Sequence, residues 1–211
     1  MSYILPLILG FIIATIGVIP PGLINMTVAK LSLIEGKTRA LVFASGATLV
    51  VFFQTYIALL FSKIINRRSD IVMLLQEVGL AIFILLTIYF LLIAQKSKVK
   101  KAGIKTRSKR RRFLLGMLFS LLNLFPVPYY VFISITLSAY NFFYFDTTFI
   151  LLFVIGVVIG TFLTFVLYIL FFNKYQKQTL FFINNVNYII GSITGLISFF
   201  TLIKIVNRYL K

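Results

Sequence analysis

Two short stretches of this chain carry residues that could hold a small polar molecule: Pro20, Pro21 and Gly22 with Asn25 close behind, and Asn123 followed by Pro126 and Pro128. Both lie well inside long apolar runs. Proline has no backbone N–H and clashes with the preceding helical turn, so a helix interrupted there leaves carbonyls and amides without helical partners. In hydrocarbon those groups must face protein or a water-filled cavity. Freed amides at the start of a half-helix suit a carboxylate and freed carbonyls suit an ammonium, which together suit a zwitterion. The two Asn side chains could add hydrogen bonds. The plainer alternative is that Pro20, Pro21 and Gly22 end one helix while Pro126 and Pro128 kink another, because prolines are common in membrane helices.

The elements that must position these residues follow from composition. Of the 211 residues 61% are hydrophobic and 12% charged, and the mean hydropathy is +1.06, where soluble domains hold roughly 45–50% apolar residues. Stretches free of Asp, Glu, Lys and Arg run over 1–29, 40–62, 78–95, 113–145, 147–173 and 178–203. A bilayer core takes about 20 apolar residues per helix, so the expectation is an all-α integral membrane protein of six spans. The third span borrows 71–76 at its start, and the fourth ends near Leu137 to leave 138–145 as a turn. No basic residue precedes the first apolar core, which reads as a retained helix and not a cleaved signal peptide.

Ten of the 21 basic residues fall in 96–112, which the positive-inside rule places in the cytoplasm. Alternation from there puts fifteen basic residues inside, six outside and both termini outside. The excess of Lys and Arg over four acids would suggest nucleic acid in a soluble protein. Between apolar runs it reads as topology, with membrane lipid as the surrounding partner and no nucleic acid. The basic loop divides the chain into a first three-helix repeat (1–95), the loop (96–112) and a second repeat (113–211), all one membrane domain. Three spans per half make the second half cross in the opposite sense, the inverted-repeat arrangement of many secondary transporters, and matched breaks in the first and fourth helices then point to a midplane site.

Other residues offer less. Ser45, Thr48, Thr55 and Ser62 share one face of the second span with Gln54 at its margin, and Thr161, Thr164 and Tyr168 make a weaker face in the fifth. Such hydroxyls either line a pathway, which makes Thr48 a candidate site residue, or bond back to their own helix carbonyls. Gly10, Ala14 and Gly17, Gly156 and Gly160, and Gly191 and Gly195 are small-residue stripes that read as packing within one bundle, with a homo-oligomer seam as the alternative. Asp146 reads as the N-cap of the fifth helix. Glu35 and Asp70 read as solvated loop residues. Glu77 alone could sit in the bilayer, as a proton carrier or as a partner of the helix dipole at the interface.

With no Cys and no His, the chain lacks thiolate and imidazole metal ligands, Cys nucleophiles and histidine acid–base chemistry. Neither a buried acid pair nor a Ser–Lys dyad is visible in the spans, so no catalytic residues, metal site or cofactor are expected and an enzyme is not. No G-x-x-x-x-G-K-[ST] signature occurs, so transport would draw on a membrane potential, a proton gradient or the solute's own gradient.

As an ordered set, several short motifs resemble the LysE/RhtB family of amino-acid exporters. Pro21-Gly22, then Gly36-Lys37-Thr38-Arg39-Ala40-Leu41, then Ser45-Gly46-Ala47 are similar to the family's PG, its basic G-[KR]-x-x-G-L turn and its glycine-bearing second helix; Phe113-Leu114-Leu115-Gly116, Asn123-Leu124 and Pro126 resemble its F-x-x-G, Asn and Pro pattern opening the fourth helix. The chain departs from it in Pro20-Pro21-Gly22-Leu23 where PGP is usual, in Asn123-Leu124-Phe125-Pro126-Val127 where Asn-Pro-Lys is usual, and in Val50-Val51 where many members carry an acid. The resemblance implies a plasma-membrane exporter of amino acids or similar small metabolites. The paired breaks imply alternating access around a site with Pro20, Pro21, Gly22 and Asn25 on one side and Asn123, Pro126 and Pro128 on the other. Export of a cation or another solute by the same fold, and a non-transporting membrane scaffold, are the alternatives.

Overall fold

In a computed structural model of the protein, the structure describes residues 3–20, 22–65 and 108–174, with scattered positions in 81–93 and 188–206. The third and sixth expected spans lie mostly outside the described residues, as do Pro21, Asp70, Glu77, Gly191 and 96–107.

The described residues are helical, without a strand. Helix α1 (Ile4–Val18) carries Pro6 in its first turn, where the missing N–H has no helical partner to lose. It is followed by α2 (Leu23–Glu35) and α3 (Lys37–Ile65). Only Gly36 separates α2 from α3, and its φ of +88° is the left-handed conformation that a glycine adopts without steric cost. A π-helical segment covers Tyr89–Ile93. In the second half α4 (Lys109–Leu122) starts from Ser108, whose hydroxyl accepts from the Arg111 amide, α5 (Pro126–Ala139) starts on its own proline, and α6 (Thr147–Lys174) starts from Asp146. The Asp146 carboxylate accepts from the Phe149 amide at 2.9 Å, the expected cap. Between α5 and α6 the chain turns through Asn141 at φ +62°, with Phe142 donating to the Leu137 carbonyl and Asn141 to that of Ser138. That is a Schellman ending, in the stretch expected as a turn.

Helices α3 and α6 are long and apolar enough to cross a membrane, and the number rises to four if each bent pair, α1 with α2 and α4 with α5, is one span. At 1.5 Å per residue the 29 residues of α3 reach about 43 Å, beyond a bilayer core of roughly 30 Å. The exposed faces are apolar, with Ile8, Ile12 and Ile16 spaced by four on α1, Phe53, Ile57 and Leu60 on α3, and Ile155, Ile159 and Leu163 on α6. A water-soluble bundle would carry charge there.

Glycines set how the helices meet. A Cβ on Gly10 would collide with the Phe153 carbonyl and one on Gly156 with that of Leu7, so α1 lies backbone to backbone on α6; Gly46 meets the Phe113 carbonyl and Gly116 that of Phe43, so α4 lies likewise on α3. Such close approach is how helices gain van der Waals contact where the hydrophobic effect no longer drives association. Gly160 also packs on α1, against Phe11, Ala14 and Thr15, so this G-x-x-x-G serves packing inside the bundle.

The two contact sets repeat with fixed steps. Positions 7, 10 and 11 of α1 correspond to 113, 116 and 117 of α4, each 106 later, and 43, 46 and 47 of α3 correspond to 153, 156 and 157 of α6, each 110 later. Meanwhile α3 and α6 run antiparallel, since Ala40, Phe43, Ala44 and Ala47 pack with Phe165 and Ile169, whereas Val51, Ala58 and Leu59 pack with Phe149, Phe153 and Val157. The contacts are thus related as by a half-turn about an axis lying across the helices.

Candidate functional site

At the first break the chain bends by 79° between α1 and α2. Gly22, half-buried and extended at φ −119°, precedes α2 and offers no side chain to cap it. The first helical bond of α2 runs from Met26 to the Gly22 carbonyl at 2.9 Å. The amides of Leu23, Ile24 and Asn25 precede that bond, so α2 begins with three donors that no side chain caps. A Cβ on Gly22 would meet nothing within 4 Å, so the space beside it is open. The freed carbonyls of α1 are occupied by side chains. Asn25, itself buried, donates from Nδ2 to Val18 at 2.5 Å and to Pro20 at 2.9 Å, and the Tyr168 hydroxyl on α6 donates to Ile19 at 2.7 Å.

At the second break the bend between α4 and α5 is 58°. Asn123 ends α4, its amide donating to the Phe119 and Ser120 carbonyls at 3.1 Å each. Gln54 on α3 reaches across to this end and donates from Nε2 to the Ser120 and Asn123 carbonyls, both at 3.0 Å. Pro126 and Pro128 do not kink a helix here; they open one. Pro126 is the first residue of α5, and the first helical bond runs from Tyr129 to Phe125 at 3.2 Å. Because neither proline has an N–H, only Val127 brings an orphan donor to this helix start.

The breaks lie side by side. The Tyr129 ring, in the first turn of α5, covers Gly17 in the last turn of α1 so closely that a Cβ there would stand 2.9 Å from ring atoms, and the Tyr129 hydroxyl donates to the Ile13 carbonyl at 2.9 Å. Of the residues expected from sequence, Pro20, Gly22 and Asn25 are together at the first break and Asn123, Pro126 and Pro128 at the second. Thr48 is elsewhere, in a groove of about 420 Å3 between α3 and α6 that it lines with Ser45, Leu49, Val158, Ile159, Phe162 and Leu163.

The hydroxyl stripe of α3 divides in two. Ser45 and Ser62 bond back to the Leu41 and Ala58 carbonyls, as Thr164 does to Gly160 on α6. Thr48 does not, and its buried oxygen has no hydrogen-bond partner. Nor do the Gln54 Oε1 and Ser120 Oγ atoms at the second break. Thr55 and Thr161 flank the buried Tyr130 hydroxyl without a hydrogen bond of good geometry. Buried polar atoms left unpaired cost about 1–3 kcal/mol each, so this group is expensive for an empty bundle to keep.

One expectation is overturned. Glu35 is not a solvated loop residue: it is the last residue of α2, its carboxylate is buried, and it is gripped by Arg112, buried in the first turns of α4. The pair is bidentate, Nε donating to Oε2 at 2.8 Å and Nη2 to Oε1. Arg112 is inward because it shares with Gly116 and Ser120 the face of α4 that lies on α3, all three being buried. Arg39 adds a hydrogen bond to the Glu35 carbonyl at 3.1 Å.

Searches of family models, curated proteins and solved structures find no match to this chain. The site is therefore read from its own chemistry. It can present three backbone donors at one break and side-chain oxygens at the other, within an apolar bundle whose described charges inside the helices are Lys30 of α2, the Glu35–Arg112 pair and residues near helix ends. Sequence reasoning placed Gln54 only at the margin of a stripe and missed Tyr129 and the ion pair. The signal for Gln54 was present, since it is the one amide within an otherwise apolar and hydroxyl-bearing span.

Proposed function

We propose that the chain is a secondary transporter that exports small zwitterionic solutes, amino acids among them, across the cytoplasmic membrane. The observation that carries this reading is the reciprocal support of the two breaks. Each is held by a side chain from the long helix of the other half, the first by Tyr168 and the second by Gln54. Broken helices at corresponding places in two halves are how transporters expose backbone dipoles to a solute at the midplane. The fixed steps between the glycine contacts and the antiparallel α3 and α6 support two inverted repeats, which extend to six spans with 96–112 inside and both termini outside. The resemblance to the LysE/RhtB exporters supports the same reading.

Alternating access needs the two ends of the pathway to close differently in turn. In this reading Glu35 and Arg112 latch one end, tying α2 of the first half to α4 of the second. The positions that the 106-residue step relates to them are Asn141 and Pro6, without charge, and near that end Phe143 packs instead against Phe145, Phe149 and Phe153.

Efflux from whole cells tests the reading. Cells loaded with mixed dipeptides are followed for each free amino acid appearing outside, comparing the chain, its Gly22→Leu variant and no chain. Because Gly22 has an ordinary φ and open space beside it, leucine fills the break without straining the backbone. The expected outcome is faster release of one class of amino acid, lost in the variant. Equal release in all three cultures contradicts amino-acid export.

A further inference from the structure

The two breaks are chemically unlike, and the unpaired atoms say how. Nitrogen Nε2 of Gln54 faces two carbonyls, which only accept, so the amide orientation is fixed and Oε1 must point the other way. That oxygen is buried and has no donor. Ser120, whose carbonyl takes one of the Gln54 bonds, also has a hydroxyl that is fully buried and does not bond back to its own helix, unlike Ser45, Ser62 and Thr164. The second break therefore holds two unpaired buried oxygens, an amide oxygen that only accepts and a hydroxyl that can accept. It has also given up two of the three donors that a helix start ordinarily offers, through Pro126 and Pro128. At the first break the balance is reversed, with three uncapped amides and the nearby carbonyls of Val18, Ile19 and Pro20 already occupied.

We propose that Gln54 Oε1 and Ser120 Oγ form the receptor for the hydrogen-bond-donating pole of the transported solute, an ammonium group, while the α2 start receives its carboxylate. This assignment rests on the transporter reading and gives the solute a direction in the site. It explains why these two oxygens are bare at the second break, where Ser45, Ser62 and Thr164 elsewhere bond back to their own helices: they are paired only when the solute is bound. With no carboxylate beside it among the described residues, the receptor holds the ammonium by dipoles, which lets the solute leave again. An ammonium hydrogen bond to a buried oxygen is worth enough to change affinity about tenfold.

The test uses the full chain purified in detergent, with thermal unfolding as the readout of binding. Each of the twenty common amino acids is titrated singly, and those that stabilise the protein are compared with their 2-oxo acids, which keep the carboxylate and replace the donor by an acceptor. Wild type should favour the amino acid over its 2-oxo acid by about tenfold or more in half-saturation. Ser120→Ala should weaken the amino acid about tenfold, leave the 2-oxo acid unchanged and not lower the unliganded melting temperature, because the deleted hydroxyl pairs with nothing in the empty protein. Gln54→Leu should abolish the preference where it folds, and Ser120→Ala decides the matter where it does not. An unchanged preference in Ser120→Ala, an equal loss for both ligands, or a lower unliganded melting temperature overturns the receptor and leaves the transporter reading standing. Absence of any amino-acid response in wild type, together with absence of efflux from cells, overturns both.

Discussion

In the described residues, the first and second halves of this molecule pack their helices through equivalent glycine contacts and differ in chemistry at the two breaks. In each, a bent helix pair packs its leading segment on the long helix of the other half through a glycine pair, Gly10 with Gly156 and Gly46 with Gly116. Yet the first break is donor-rich at Leu23, Ile24 and Asn25, while the second is donor-poor at Pro126 and Pro128 and carries the bare oxygens of Gln54 and Ser120. The end of α2 carries a buried acid and the end of α5 a neutral Asn141. Equivalent packing leaves both bent pairs with a break; the residues placed there decide what each break attracts. Two identical breaks would suit a symmetric ligand, and two unlike ones suit a ligand with two different ends.

The largest expected effect falls at the ends of the half-helices. Removing one member of a buried ion pair strands the other, so Glu35→Ala and Arg112→Ala should each cost about 3–5 kcal/mol in the folded protein, whereas Asn141→Ala, at the related place, should cost about 1 kcal/mol for a left-handed residue. Thermal unfolding of the three variants checks the contrast; similar losses at Glu35 and Asn141 would erase it. The exchange Glu35→Arg with Arg112→Glu should recover part of the loss, measured as a double-mutant cycle.

Next come the supports of the breaks. Gln54→Leu leaves two carbonyls of the second break without their side-chain donor and should cost about 2–3 kcal/mol, against about 0.5 kcal/mol or less for Thr164→Val at the position 110 later, whose hydroxyl serves only its own helix. Gly116→Ala forces α4 off α3 and should cost about 1–3 kcal/mol, while Gly22→Ala should cost under about 0.5 kcal/mol, because its Cβ enters open space. Melting temperatures that rank these pairs the other way would mean that the breaks are not held as described.

The smallest effect sharpens the comparison most. Changing Pro126 and Pro128 together to Ala returns two amides to the start of α5 and makes the second break resemble the first. A helix-terminus donor set is worth about 0.3–1 kcal/mol toward an anion, so 2-oxo acids should bind about two- to fivefold more tightly to this variant than to wild type. Isothermal titration with the 2-oxo acids measures it, and unchanged affinity would show that the prolines do not set the charge preference.

Much of this plan is legible in the chain because it is written in local chemistry. Pro20 and Gly22, and Pro126 with Pro128, announce breaks; Asp146 followed by two threonines announces a cap; the uncharged runs announce long apolar helices. Sequence spacing could not reveal partners brought together only by packing. Gln54 meets carbonyls 66 and 69 residues away and Arg112 meets an acid 77 residues away. Glu35 looks solvated when read beside Gly36 and Lys37, and only the crossing of α4 over α3 buries it. The hydroxyls of α3 carry the same ambiguity, since Ser45 and Thr48 are alike in sequence but one bonds its own helix and the other does not.

Solute counterflow in liposomes is the most direct test that these paired breaks carry a solute. The purified chain is reconstituted, the vesicles are loaded with an unlabelled amino acid that stabilises it, and entry of the same labelled amino acid is followed against the Gly22→Leu variant. The account predicts a transient overshoot of label in vesicles with the chain, absent in the variant and in empty vesicles. Label entering at the same rate in all three would contradict transport through the breaks.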